Sequence, residues 1–328
     1  MVWRIHFTVE DLARIQVSTT LGPLAETVMA LSLLRCPMQP RASFGAWRAQ
    51  VQGKVTPQMR ALTALMPAGT KGVDLCTLTG EAATIEQGVQ ALLAVPREQL
   101  LVEMEFTDRY GPLPATAWAM AEIGARDELA DATQAAYQAL VQPYWTRIHA
   151  CLHAEHVARS RTLTYGGPDR LLASLQSERI RWHPPVLEIL VPGRAEMHLN
   201  GRGIVLVPSV FVGSSPGLHE NPSDERAAPM LMLPVADDGT GRARLWDSPR
   251  RRGAALSALV GRNRAAVLGS IAGGCTTTEL AGRAGISLAA ASQHASVLRD
   301  AGLITTQRQG RAVLHVLTPL GTELLKAG

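Results

Sequence analysis

The stretch Cys275–Leu317, CTTTELAGRAGISLAAASQHASVLRDAGLITTQRQGRAVLHVL, decides how the rest of the chain is read. Thr277 or Thr278 can cap a short helix over Glu279–Ala284, with Glu279 in the first turn, where the helix dipole favours an acid. Gly285 supplies the turn that follows, because a residue without Cβ leaves a helix easily through positive φ. Ser287 caps a second helix running to about Asp300. On that helix Ala291, Ala295 and Leu298 recur at i, i+4, i+7 and form an inner stripe. Ala290, Gln293, His294 and Ser296 fall largely on other faces. Gly302 ends the helix, and Leu303–Gln307 and Ala312–Thr318 read as two strands joined at Arg308-Gln309-Gly310-Arg311.

Helix, tight turn, helix and a hairpin with a basic tip is the pattern of a winged helix-turn-helix. Its dimensions suit DNA, since a helix about 10–12 Å wide fits a major groove about 12 Å wide. Small residues at the start of the second helix allow close approach, and glutamine can pair bidentately with adenine. The segment ASQHASVLRDAGLI followed by RQGRAVLHVLT resembles the ArsR-type family of bacterial transcription regulators. That family's pattern is roughly VSRHLxVLRxAGLV, then RxGRxxxYxL. Ser292, Gln293, His294, Val297, Leu298, Arg299, Ala301, Gly302, Leu303, Gly310 and Arg311 match it in place. The match covers about the last quarter of the chain. A softer resemblance lies at the other end. RIHFTVEDLARIQV with TLGPLAETVMAL is similar to a group of actinobacterial ArsR-like regulators with an uncharacterised N-terminal domain.

The charge distribution agrees with a polyanion-binding C-terminal part. Ten Lys+Arg face three Asp+Glu from Ser248 onward, which leaves 22 basic and 25 acidic residues for the remainder. Basic charge is thus segregated to the segment that carries the motif, the electrostatic footprint of a nucleic-acid binder.

At 328 residues the chain is long enough for two domains, and 46% apolar residues supply a substantial core. No run of 18 or more uncharged apolar residues occurs, so no membrane span is expected. The opening MVWRIHFTVED has no apolar segment after a basic start, so no secretory signal is expected either. Cys36, Cys76, Cys151 and Cys275 form no CxxC pair, which fits reduced thiols in a cytoplasm.

In chain order, Trp3, Ile5, Phe7 and Val9 alternate with polar residues and read as an edge strand. Thr8 with Asp11 can begin a short helix over Glu10–Gln16. Pro23–Arg35 reads as an amphipathic helix, followed by helical patterns over Ala42–Lys54, Pro57–Met66, Thr84–Val95 and Pro96–Phe106. The longest, Ala115–Arg161, is broken or bent near Gly124 and Pro143. Gly166-Gly167-Pro168 reads as a turn before a short helix, Asp169–Gln176. Past His183 the segments Val186–Val191, Ala195–Leu199, Gly203–Val207, Val210–Gly213 and Met230–Val235 are short and β-rich, with Asn200-Gly201 a hairpin signal. Ser214–Pro229 reads as a polar loop, and Ala255–Ile271 as the first long helix of the C-terminal module.

His149, His153 and His156 lie close to one helical face with Cys151 and Glu155 nearby, a ligand set that zinc-class metals accept. The blander reading is a polar helix face. The resemblance implies thiolate metal sensing only where a cysteine pair opens the helix before the recognition helix. Here that helix reads TELAGRAG, with Cys275 alone upstream. No GxxxxGK[ST], no HExxH and no GxGxxG after a strand is found. The carboxylates of Glu98–Asp108 read as a solvated face. Trp118, Tyr137, Tyr144, Trp145, Trp182 and Trp246 are core residues or the lining of a ligand cavity.

The expectation is therefore an α+β chain: a helix-rich N-terminal domain with a small β-sheet over residues 1–245, then a winged helix-turn-helix over residues 250–328. Its expected function is sequence-specific binding of double-stranded DNA in transcriptional regulation, as a cytoplasmic homodimer, with a small-molecule effector as a further partner of the N-terminal domain. No catalysis, cofactor or metal is expected. The DNA-contacting residues are expected to be Thr277, Thr278, Ser287, Ala289, Ala290, Ser292, Gln293, His294, Ser296, Arg299, Arg308 and Arg311. Two other classes stay open: an enzyme or ligand-binding protein with an accessory winged helix, and a winged helix used for protein contacts.

Overall fold

The alternation VWRIHF does form a strand, and in the computed structural model it lies inside a sheet. The structure describes the chain except residues 1, 36–40, 67–71, 123–124, 191–194, 214–215, 237–244, 247–255, 272–273, 310–311 and 328; the side chains of 41–42, 308–309, 312 and 326–327 are likewise outside the description. Strand β1 (Val2–His6) pairs with β4 (Val186–Leu190) on one side and β5 (Ala195–His198) on the other. With β3 (Ile180–His183) the order is β3-β4-β1-β5. The edge position expected for β1 is thus corrected. Its partners lie some 185 residues away in sequence, and pairing at that range leaves no local signal.

The chain divides into two units, Met1–Trp246 and Asp247–Gly328. In the first, Thr8 caps α1 (Val9–Ala13) through a capping box with Asp11. The helix stops there because Ile15–Val17 becomes strand β2 rather than a further helical turn. β2, β6 (Ile204–Ser209), β8 (Met230–Pro234) and β7 (Gly217–His219) make a second four-stranded sheet in the order β2-β6-β8-β7. β2, β6 and β8 run parallel.

Two sheets thus replace the single small one expected. The reason sits at Asn200-Gly201. Both residues have positive φ (54° and 83°), as a primed turn requires, but the turn delivers the chain from β5 in one sheet to β6 in the other. It is not a hairpin. Val210–Gly213 is not a strand either. Val210, Phe211 and Val212 are buried, so apolar packing explains their composition.

The helices are α2 (Pro23–Arg35), α3 (Arg41–Val51), α4 (Arg60–Ala64), α5 (Leu75–Thr79), α6 (Ile85–Ala94), α7 (Arg97–Asp108), α8 (Ala115–Ala119), α9 (Arg126–Leu140) and α10 (Trp145–Ser174). α2 has the expected ends, but nine of its residues are buried, including Glu26 and Thr27, so it is a central helix without a free polar face. α10 is interrupted at the expected Gly-Gly-Pro turn: Gly167 is non-helical (φ 74°, ψ 178°), and a second short helical stretch follows it to Ser174.

Two apolar clusters share the second sheet. Val207 and Met232 face the helices, in a cluster with Leu24, Leu31, Trp47 and Met104. Ile204, Leu206, Leu231 and Leu233 face the other way, toward Ile5, Leu171, Leu187 and Ile189. Buried carboxylates fasten the connections. Asp11 accepts from the Gly203 amide (2.9 Å), Glu26 from Val210 (3.2 Å) and Glu103 from Asp74 (3.1 Å). Burial opposes the charge on Asp74, but His219 (Nδ1 2.6 Å away) and the Thr77 donors hold its carboxyl down to about 2.

Several aromatics weighed as cavity lining pack instead into the core. Trp246 is 1% exposed, packed at tilted angles against Phe44, Trp47 and Phe211 and edge-on to Tyr144, and its indole donates to the Ser43 carbonyl (2.7 Å). Trp182 is likewise buried, edge-on to Phe7. A boundary at residue 245 would detach Trp246. Trp246→Ala should lower the stability of the first unit by about 3–5 kcal/mol through lost transfer energy and a residual cavity, read as a shifted denaturation midpoint with an unchanged slope.

Candidate nucleic-acid interface

The second unit is built on a three-helix core with a short sheet. The expected helix Ala255–Ile271 is interrupted: residues 256–260 are helical, Gly261 breaks the run at φ 87°, and α11 spans Arg262–Ser270. β9 (Cys275–Thr276) leads into α12 (Thr277–Ala284), and α13 spans Leu288–Asp300. β10 (Ile304–Gln309) and β11 (Ala312–Leu317) form the hairpin, and α14 (Pro319–Ala327) follows. β11 also pairs with β9, which gives the order β10-β11-β9. Arg308 pairs with Val313 and Gln309 with Ala312, so both are strand residues where a turn was expected.

The local chemistry explains each boundary. The cap of α12 is Thr276, not Thr277 or Thr278. Its hydroxyl accepts from the Glu279 amide (3.3 Å), while the Glu279 carboxylate accepts from the Thr276 amide (2.9 Å). Hydrogen bonds from the Thr276 amide and hydroxyl hold the Glu279 carboxyl below the usual carboxylate range. Gly285 ends α12 in the left-handed region (φ 66°, ψ 34°), and the Ile286 amide reaches back to the Ala281 carbonyl. Ser287 caps α13 by accepting from the Ala290 amide (3.2 Å). At its far end Gly302 has φ 72°, and Leu303 bonds to the Leu298 carbonyl in the same reach-back closure.

α13 has two unlike faces. Ala291, Ala295 and Leu298 are buried in a cluster with Val267, Leu268, Ile271, Leu280, Leu303 and Ile304. Ala289, Ser292 and Gln293 are exposed, and Ala290, His294 and Ser296 are half-buried. The side chains of Ser292, Gln293 and His294 have no hydrogen-bond partner among the described residues. Ser296 accepts from Arg299 (2.8 Å), which also pairs with Asp300 (3.1 Å). Arg299 is therefore held along its own helix, by an exposed pair that adds little stability. Ser287 is spent as a cap. Thr278 is exposed, whereas the Thr277 hydroxyl bonds to His315. The Arg308 side chain and all of Arg311 lie outside the described residues.

Three residues were passed over in the sequence. Leu288 (55% exposed) and Val297 (42%) are exposed apolar residues of α13; Val297 lies off the Ala291/Ala295/Leu298 stripe, whereas Leu288 falls on it by spacing and is exposed in the first turn of the helix. His315 is the third. It is buried in β11, with Thr277 Oγ1 3.0 Å from Nε2 and Thr306 Oγ1 3.1 Å from Nδ1, so it ties α12 to both strands of the hairpin. Nothing in RAVLHVL marks that role, since its partners are far off in sequence.

Other chemistry is spread over the first unit. His149 packs against Trp145, His153 and His156 stack at 6.5 Å, and the three imidazoles do not converge with each other. One group of donor atoms among the described residues does converge, His6, Glu196 and His198, within 4.8 Å of one another. The spacing G-x-S-x-G occurs at Gly213–Gly217, with Ser215 outside the described residues. A nucleophile elbow requires a helix directly after the serine, and the next element here is strand β7.

Burial, and secondarily Arg299, lowers the pKa of His315. A histidine whose folded pKa lies below its unfolded value adds stability above the unfolded value, near 6.5, and that stability is lost as the pH falls through the folded value. The second unit should therefore melt at a lower temperature at pH 5 than at pH 7.5. His315→Gln, which keeps a neutral hydrogen-bonding group, should flatten that difference; calorimetry at the two pH values checks it. No protein-family model, curated protein or solved structure matches this chain, so the reading of this surface rests on its residues and their geometry.

Proposed function

We propose that the second unit is a winged helix-turn-helix and that the protein is a sequence-specific DNA-binding transcription regulator of the ArsR type. The observation that carries this is the division of labour on α13. Its inner face is packed through alanines and Leu298, while its outer face keeps Ser292 and Gln293 exposed without internal partners. Unspent donors and acceptors on a rigid helix are what base-edge reading in a major groove uses. The hairpin β10–β11 would serve as the wing, and its sequence carries Arg308 near the end of β10 and Arg311 three residues later. Arg262 and Arg264, exposed at the start of α11 and without an ion-pair partner among the described residues, add positive charge to the same unit.

Gln293→Ala should weaken binding to the cognate site by about 1–3 kcal/mol and relax the preference at one base position. Arg308→Ala should weaken binding to all duplexes alike and reduce the salt slope by about one unit. Fluorescence anisotropy on selected and random duplexes over a salt series distinguishes the two. An equal loss on cognate and random DNA for Gln293→Ala would remove that residue from base reading.

A single recognition helix offers only three or four reading side chains. Two tethered copies make the second docking nearly intramolecular, and two-fold symmetry is the common way to tether them. We propose a homodimer whose α13 helices reach successive major grooves about 34 Å apart. Sedimentation equilibrium at micromolar concentration without DNA should give twice the chain mass of 35.1 kDa; a monomer there contradicts the proposal.

A further inference from the structure

The polar face of the β3-β4-β1-β5 sheet is ordered in two rows by strand register. Arg181, Glu188, Arg4 and Glu196 align across the four strands, and His183, Val186, His6 and His198 align in the next row. The first row alternates in sign. In the second, β1 and β5 run parallel, so His6 and His198 sit side by side with ring centroids 4.3 Å apart and planes 14° apart. Glu196, two residues before His198 on the same face, places Oε2 3.0 Å from His6 Nε2.

We propose that His6, Glu196 and His198 bind a divalent transition-metal ion of the zinc class. Each residue contributes one donor atom, and all three atoms lie within 4.8 Å of one another. For bonds of about 2.0 Å a tetrahedral site has donor–donor edges of about 3.3 Å. The His6–Glu196 edge is already near that, and small side-chain rotations bring His198 to it. The ladder holds the three backbones in fixed relation, so little ordering is left for binding.

The neighbours support the donor set. Arg4 Nη1 lies 3.4 Å from Glu196 Oε1 while its Nε is 2.9 Å from Glu188. Glu196 is thus oriented from behind by its other oxygen, the role that outer partners play for metal-ligating carboxylates, and Glu188 offsets the charge of Arg4. Two imidazoles with one carboxylate suit zinc, nickel, cobalt or copper rather than calcium or magnesium. His198 and Glu196 are exposed, so water can complete the coordination. The site lies within the first unit, and the inference does not depend on the DNA reading.

The test uses the full chain, stripped of metal and titrated with Zn(II) against a chromophoric chelator, with Co(II) absorption as a second readout. The expected result is one ion per chain at micromolar affinity or better, with Co(II) bands of a four- or five-coordinate site. His6→Gln, His198→Gln and Glu196→Gln should each weaken binding by about 10-fold or more, and Arg4→Met by about 10-fold. His153→Gln on α10 should leave it unchanged. Zn(II) should raise the melting temperature of the parent chain but not of the His198→Gln variant, which separates loss of the site from loss of the fold. No saturable binding at 100-fold excess over micromolar protein, or binding unchanged in both His6→Gln and His198→Gln, would overturn the proposal.

Discussion

The first unit depends on a mostly parallel sheet whose central strands must be buried on both faces. β6 and β8 send Val207 and Met232 to the helical core and Leu206, Leu231 and Leu233 to the second core. Strands buried on two sides read as unbroken apolar runs, which is how IVLVP and MLML read here. Neither cluster can close without that shared sheet. The helices around α2 would have no wall to pack on without β6 and β8, and β1 and β4 would expose Ile5, Leu187 and Ile189. That interdependence explains why residues 2–17 and 180–235 share one unit although more than 160 residues separate them.

In the second unit the controlling constraint is the close approach of α13 to α11 and α12. Ala291 and Ala295 are small enough to let the helices meet, and Leu298 fills the space beyond them. The two left-handed glycines, Gly285 and Gly302, fix where the chain leaves each helix, and Ser287 fixes where α13 begins. The polar groups around the buried His315 are used internally, by Thr277 and Thr306, and the exposed Thr276–Glu279 pair is spent on capping α12. The outward-turned ones on α13, Ser292 and Gln293, are not. A fold that satisfies its buried polar groups and leaves one row of exposed ones uncommitted has a surface suited to an external hydrogen-bonding partner.

The second unit was legible in the sequence because its signals are local. Ser287, Gly285 and Gly302 act within four or five residues of themselves, and a three-residue stripe marks the buried face of α13. Where that reading erred, the error was also local: the cap moved to Thr276, and Gly261 broke a helix that periodicity alone carried through. The first unit was legible in most of its helices, with Pro23–Arg35 placed to the residue and α5 missed, but not in its assembly. Its sheets join residues near the N-terminus to residues past 180, so β1 read as an edge strand and Asn200-Gly201 as a hairpin. His6, Glu196 and His198 were invisible as a group for the same reason. His6 meets the other two only through the β1–β5 register, whereas His149, His153 and His156 looked like a group because helical spacing is visible in one dimension.

The carboxylates show how burial sorts scaffold from surface chemistry. Asp11, Glu26 and Glu103 each accept a backbone amide from a distant segment, and Asp74 combines the cap of α5 with the His219 contact. Each closes a connection that would otherwise bury an unpaired N–H, and a carboxylate so engaged is costly to redirect toward a ligand. Glu103 shows that composition alone misleads, since the run Glu98–Asp108 looks like one solvated face and yet turns this residue inward. Glu196 is different. It meets no backbone amide among the described residues, faces solvent, and is shared between Arg4 and His6. Among these acids it is the one whose second oxygen can change partners without breaking a buried bond, so ligand chemistry in the first unit falls to the outer face of a sheet whose inner face is committed to the core.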